Sequence, residues 1–265
     1  MYKLNKIIQI SKTDAAFYIV PCLVCVYCIL PLYFIQLIFE FYNNSLLSRL
    51  SINGIKRFMI QSIDLTHTFS NNMPVYPGDP CAELYQIAEF HSDSYNDFKI
   101  ETGMHVGTHI DAPMHMVEDG CYISEIDVNS FSGNGYLIDA RNHNPFPPRL
   151  IDLSMIQTGD IVLIFTGFGS KFYQPNYFEE YPEFSQEFAR MLVGANISMV
   201  GMDTPSPDRH PYLIHKLFFS ENILIIENLT NLDKLLGVEK FKVYAFPLKL
   251  NSDASPARII AEVQQ

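Results

Sequence analysis

The 265-residue chain contains no tryptophan, only five cysteines, and 18 lysines and arginines against 29 aspartates and glutamates, a formal net charge of −11 at pH 7. The shortage of basic residues argues against a nucleic-acid partner, because phosphate contact needs a basic face and no Lys/Arg run longer than Lys56-Arg57 occurs. Cysteine is too sparse for a disulfide framework. Cys22, Cys25 and Cys28 lie in an apolar run and read as small apolar residues, and Cys81 and Cys121 form one far-separated pair that makes no zinc ribbon. This usage points to a reducing compartment. A G-x-S-x-G elbow and a phosphate-cradling glycine loop are also lacking, which removes serine-hydrolase and P-loop readings.

Charge is unevenly distributed. Residues 1–58 hold six basic and two acidic side chains, a balance of +4, leaving twelve against 27, or −15, for residues 59–265. The split suggests an N-terminal extension, 1–58, ahead of one acidic domain, 59–265. Within the extension, Ala15 to Phe39 is free of charge for 25 residues. As a helix this run would be about 37 Å long, enough to cross a hydrocarbon core of about 30 Å. Pro21 and Pro31 interrupt it, basic residues flank it on both sides, and no small-residue cleavage site follows. Three readings stay open. Met59 is the natural start and the chain is cytoplasmic; residues 15–39 anchor it to a membrane; or they form a buried helix.

After residue 58 the sequence consists of short β-rich runs with turn punctuation. Strands are predicted at Ile60–Thr66, Glu83–Phe90, Phe98–Gly103, Tyr136–Asp139, Asp160–Thr166, Met199–Asp203, Ile223–Glu227, Phe241–Phe246 and Arg258–Val263. Helices are predicted at Ser185–Val193 and Tyr212–Ser220. Together these describe a mixed α/β domain with buried strands. The stretch from Phe165 to Tyr181 is rich in aromatics and reads as a packed loop, with a pocket lid or partner surface as the alternative.

The densest chemistry lies in His105-Val-Gly-Thr-His109-Ile-Asp111-Ala-Pro-Met-His115. A straight strand would put His105 and His109 roughly 13 Å apart, too far for one metal ion whose ligands sit about 2.0–2.2 Å away. Gly107 and Pro113 make a regular helix poor, so the chain must turn compactly. Imidazoles with a carboxylate suit Zn²⁺ or Mn²⁺; Ca²⁺ would call for more oxygens.

HVGTHIDAPMH resembles the HxGTHxDxPxH signature of the metal-dependent cyclase family, which includes bacterial kynurenine formamidase and isatin hydrolase. IDLTHTFSNNMPVYPGDP, GMDTPSPD and SPARIIA resemble the family's opening, middle and closing segments, so the likeness spans residues 59–265. It implies a cyclase-like β/β/α single domain with a mixed sheet, and a homodimer or homotetramer. It also implies two divalent metal ions, zinc or else manganese, held by His105, His109, Asp111, His215 and Glu227, with Asp111 shared and His115 as acid/base. A metal lowers the pKa of its bound water toward about 7, giving a hydroxide able to attack a carbonyl. The expected activity is hydrolysis of a small amide, arylformamidase-like, with isatin-hydrolase-like or lactone-opening chemistry as the alternative. A non-catalytic metal- or ligand-binding module is the alternative of another class.

Two further residues carry open readings. Tyr76 stands where the formamidase branch usually has tryptophan, and either stacks on an aryl substrate or packs on Pro77. Asp203 either orients a ligand histidine or starts a turn with Thr204 and Pro205. His67, His91, His143 and His210 lack liganding neighbours and read as solvated or hydrogen-bonded side chains.

Overall fold

A computed structural model describes residues 60–264, all within the compact unit Phe58–Gln265. The expectations for the extension and its apolar run fall outside the described residues. Among the described residues, no helix is long and apolar enough to cross a membrane.

Among the described residues ten strands form, in chain order β1 (Ile60–Asp64), β2 (Glu83–Ala88), β3 (Asp97–Glu101), β4 (His109–Asp111), β5 (Ser132–Asp139), β6 (Ile161–Phe165), β7 (Met199–Met202), β8 (Leu224–Glu227), β9 (Phe241–Pro247) and β10 (Ala254–Gln264). The main helices are α1 (Gln186–Gly194) and α2 (Leu213–Ser220). Strands β5, β6, β7 and β8 run parallel, and each link from β6 onward carries a helix over the outside, as parallel pairing requires. The other pairings are antiparallel, so the sheet is mixed as expected.

The sheet order is β1-β10-β4-β8-β7-β6-β5-β9, and β9 also pairs with β10. That last pairing closes seven strands into a barrel, with β1 attached at the free stretch of β10. Closure depends on the length of β10. Its first residues, Ala254 to Pro256, pair with β4, while Ala257 to Val263 pair with β9.

Alternation along the strands separates two cores. Ile161, Leu163 and Phe165 of β6 fill the barrel with Ile110, Ile226, Val243 and Ile259. Val162 and Ile164 point outward, against Phe188 and Leu192 of α1 and Ile214 and Phe218 of α2. Ser185 starts α1 by accepting a hydrogen bond from the Phe188 amide. By the same alternation Ile110 of β4 faces inward, so His109 and Asp111 must face out, under the helical layer. Antiparallel register sets His109 opposite Glu227 and Asp111 opposite Ile225. Thus two short strands place three polar side chains on one outer face, beside α2.

Candidate metal centre

The turn before β4 is as compact as the sequence demands. Gly107 takes φ +67, and a Cβ there would lie 2.6 Å from the Met73 methyl. Its carbonyl accepts a hydrogen bond from His109 Nδ1 at 2.8 Å, which leaves Nε2 with a lone pair. That nitrogen sits 3.2 Å from Asp111 Oδ1 and 3.4 Å from Glu227 Oε2. His105 Nδ1 approaches the same Asp111 oxygen at 2.9 Å. From α2, His215 Nε2 comes within 3.3 Å of the other Glu227 oxygen. Five side chains separated by up to 122 residues in sequence therefore converge, and His115, at the end of the 3-10 turn Pro113–His115, stands beside them. The His115 ring is 4.2 Å from His105 and 6.0 Å from His215, centroid to centroid.

These contacts are close without being hydrogen bonds. His109 Nε2 and both Asp111 oxygens are buried and have no hydrogen-bond partner among the described residues. An orphaned buried polar atom costs about 1–3 kcal/mol, more where the group is charged. An orphaned imidazole nitrogen facing an orphaned carboxylate across 3.2 Å is what a cation's ligands look like. Two overlapping sets have donor atoms within 4.8 Å of one another: His109, Asp111 and Glu227, and His105, Asp111 and His115. Nitrogen and carboxylate donors with no thiolate suit a divalent cation of the zinc or manganese type.

Electrostatics agree with the geometry. Burial alone would push the His105 imidazole down, yet Asp111 and Asp253 outweigh it and raise its pKa to about 11. His109 rises to about 9 against its burial because of Asp111 and Glu227, and His215 to about 9 because of Asp208 and Glu227. Asp111, which burial would raise, is held well below the usual carboxylate range by His105 and His109. His115 differs, since burial pushes its pKa down. Most of this cluster attracts positive charge, and one imidazole in it favours the neutral form.

Tyr76 lies on the wall of an adjoining cavity of about 270 Å³, which His105, His115, His215, Phe178 and Tyr212 also line. Its ring meets Phe178 edge-on at 5.6 Å. Most of the 165–181 aromatic stretch is a packed loop, as Phe168, Phe172, Tyr177 and Tyr181 are buried, and Phe178 is the member that reaches the cavity.

Asp203 corrects the expectation of a histidine-orienting role. Its carboxylate accepts hydrogen bonds from the Thr166 amide and hydroxyl and from the Gly167 amide, so its acceptor capacity is used on the loop after β6. The residue that does orient His215 is Asp208, whose Oδ1 lies 2.6 Å from Nδ1 and whose Oδ2 accepts from the Ile214 amide. Asp253 likewise contacts both His105 and His115. Neither was singled out from sequence; Asp208 lies inside GMDTPSPD, but its partner is seven residues away across a turn. His67 also departs from expectation. It stacks on Phe172 at 3.9 Å with a buried Nε2 that has no hydrogen-bond partner among the described residues, and burial lowers its pKa to about 4.

Residues 63–209 match the family described as putative cyclase. A kynurenine formamidase of Bacillus cereus is 29% identical over 203 residues, 75% of this chain and 95% of that protein. Among solved structures, a predicted metal-dependent hydrolase from Bacillus stearothermophilus shares 31% identity with a TM-score of 0.64, covering 77% of this chain and 98% of its own. Isatin hydrolase A from Labrenzia aggregata, bound to benzyl benzoate, shares 25% identity with a TM-score of 0.69, covering 84% and 99%. The family match takes in the whole 105–115 cluster and more than half of the sequence, and the chain belongs to the cyclase family.

Proposed function

We propose that this chain is a metal-dependent hydrolase of a small amide, acting on a carbon–nitrogen bond other than a peptide bond in the manner of an arylformamidase. The observation that carries the reading is the convergence of His105, His109, Asp111, His215 and Glu227 around buried atoms that no group among the described residues satisfies. We assign these five as ligands of two divalent cations, zinc in preference to manganese, with Asp111 shared between them. Such ions, when bound, polarise a substrate carbonyl and make water more acidic.

The remaining work falls to the chain. Asp208 fixes the His215 tautomer through Nδ1, leaving Nε2 as the donor to metal. His115 sits at the cavity wall with its side chain 25% exposed, open to substrate yet largely desolvated. Being neutral, it accepts a proton from the attacking water and returns it to the departing nitrogen. Tyr76, Phe178 and Tyr212 offer ring surfaces to an aryl group on the substrate. The same wall would admit a fused bicyclic lactam, and the likeness to isatin hydrolase A makes isatin-type ring opening the second reading. A pure metal-binding module would have no use for His115. We place the domain in the cytoplasm, where unpaired Cys81 and Cys121 would persist.

The test replaces His115 by alanine and measures metal content together with hydrolysis of N-formyl arylamines, isatin and simple lactones. Metal is expected to stay while turnover falls at least about 10²-fold. Unchanged turnover would remove His115 from the chemistry, and loss of turnover on formanilides alone would separate the two substrate readings.

A further inference from the structure

Asp253 lies in the loop between β9 and β10, outside the five proposed ligands, and is held from several directions. Its carbonyl accepts the Ala112 amide at 2.8 Å, and its neighbour Ala254 pairs with Asp111 in the sheet. The backbone of the signature segment thus fixes where its carboxylate stands. One oxygen, Oδ2, serves two imidazoles: His105 Nε2 at 2.9 Å and His115 Nδ1 at 3.1 Å.

A carboxylate oxygen that accepts from an imidazole nitrogen requires a proton on that nitrogen. In a neutral ring the other nitrogen then has the lone pair. We propose that Asp253 is the positioning residue for His115, holding its ring in the Nδ1–H tautomer so that Nε2 is the proton acceptor, and tying that ring to the ligand His105 through one shared oxygen. The inference rests on the hydrolase reading above and adds to it the group that sets the acid/base. In the reaction His115 Nε2 takes a proton from water as the oxygen adds to the carbonyl carbon. The ring is then an imidazolium donating from Nδ1 to Asp253, which stays ionised. The same proton leaves from Nε2 to the nitrogen as the carbon–nitrogen bond breaks, giving acid and amine with both the histidine and the aspartate restored.

The Asp253 carboxylate is 38% exposed, so it is not a buried charge that merely needed covering.

The experiment uses the full chain labelled with ¹⁵N-histidine, metal-free and zinc-loaded, and reads the tautomer of each neutral ring from long-range ¹H–¹⁵N correlations. The His115 signal is assigned by its loss in His115→Gln. The wild-type ring is expected to carry its proton on Nδ1, and Asp253→Ala to release it to the Nε2–H form favoured by a free imidazole. In the zinc-loaded enzyme the same variant is expected to lower kcat on the order of 10²-fold with KM little changed, and Asp253→Glu to recover part of the loss. If the alanine variant does not fold, the isosteric Asp253→Asn makes the comparison. A wild-type His115 protonated on Nε2, a tautomer indifferent to residue 253, or a tautomer change without loss of kcat would each overturn the proposal. A wild-type enzyme that hydrolyses none of the substrates would instead sink the hydrolase reading, and the tautomer would still decide whether Asp253 controls His115.

Discussion

Protons and metal compete for the same lone pairs at this centre, and the consequence can be measured. Without metal, His109 and His215 have pKa values of about 9, above the roughly 6.5 of an unfolded chain. The folded state therefore binds their protons more tightly. That contribution to stability is complete below about pH 6.5 and is lost as pH rises through about 9. We expect the melting temperature of metal-free protein to fall between about pH 7 and 9, while stabilisation by added zinc grows over the same window because fewer protons must be displaced. A metal-free melting temperature that rises across this window would contradict the assignment. A second expectation concerns Asp208. Asp208→Ala frees His215 Nδ1 and should weaken zinc binding about 10- to 100-fold, read by competition with a chelator. At this scale the residues proposed for the site are easier to single out in the sequence than the groups that hold them in place. His105, His109, Asp111 and His115 stand within eleven residues and announce themselves by composition. Asp253 lies 148 residues from His105 and 138 from His115, and only the pairing of β10 with β4 brings it to them.

Gly107 carries a test at the level of the element. Its left-handed φ opposes a side chain, while the Met73 methyl, 2.6 Å from where a Cβ would stand, ends a flexible chain that can give way. Gly107→Ala should destabilise the domain by more than about 1 kcal/mol in a denaturant titration and, by shifting His105 against His109, reduce metal occupancy as well. A stable variant with full occupancy would show that the turn does not position the site. Most strands and both main helices were legible because each presents a clean apolar period between turn signals. The boundaries that moved have local reasons. The last strand is expected from Arg258, yet β10 begins at Ala254, with Pro256, a residue that cannot donate to the ladder, paired to His109 in the sheet. Strand β4 could not be seen at all, since three residues are too few to show alternation and its two polar members belong to the site. The outward face on which those members lie follows only once Ile110 is known to fill the barrel.

Barrel closure is a property of the whole molecule, decided by the double pairing of β10, and nothing in the strand sequences foretells it. The acidic domain expected at residues 59–265 rests on the change in charge balance near residue 58 and on the span of the family likeness. Outside the barrel, β2 and β3 form a separate two-stranded ribbon exposing Ile87, Phe98 and Ile100, with Phe90 exposed in the connection between them, each 54 to 61% accessible. A lone two-stranded ribbon is marginal in water, and this one is apolar on its open surface. These features support the homodimer or homotetramer proposed from the family likeness. Light scattering coupled to size exclusion is expected to give at least twice the 30.3 kDa chain mass, and Phe98→Asp with Ile100→Asp to shift the protein toward monomer. A wild-type monomer at micromolar concentration would refute the assembly without touching the site. The central claim, that this cluster is a metal centre on which hydrolysis depends, meets its most direct test in one titration. Metal-stripped protein is mixed with increasing zinc while turnover of an N-formyl arylamine and of isatin is followed. The account predicts no turnover without metal and a rise that levels off at about two equivalents per chain, one for each ion shared through Asp111. Turnover by the stripped protein equal to that of the loaded one would contradict it.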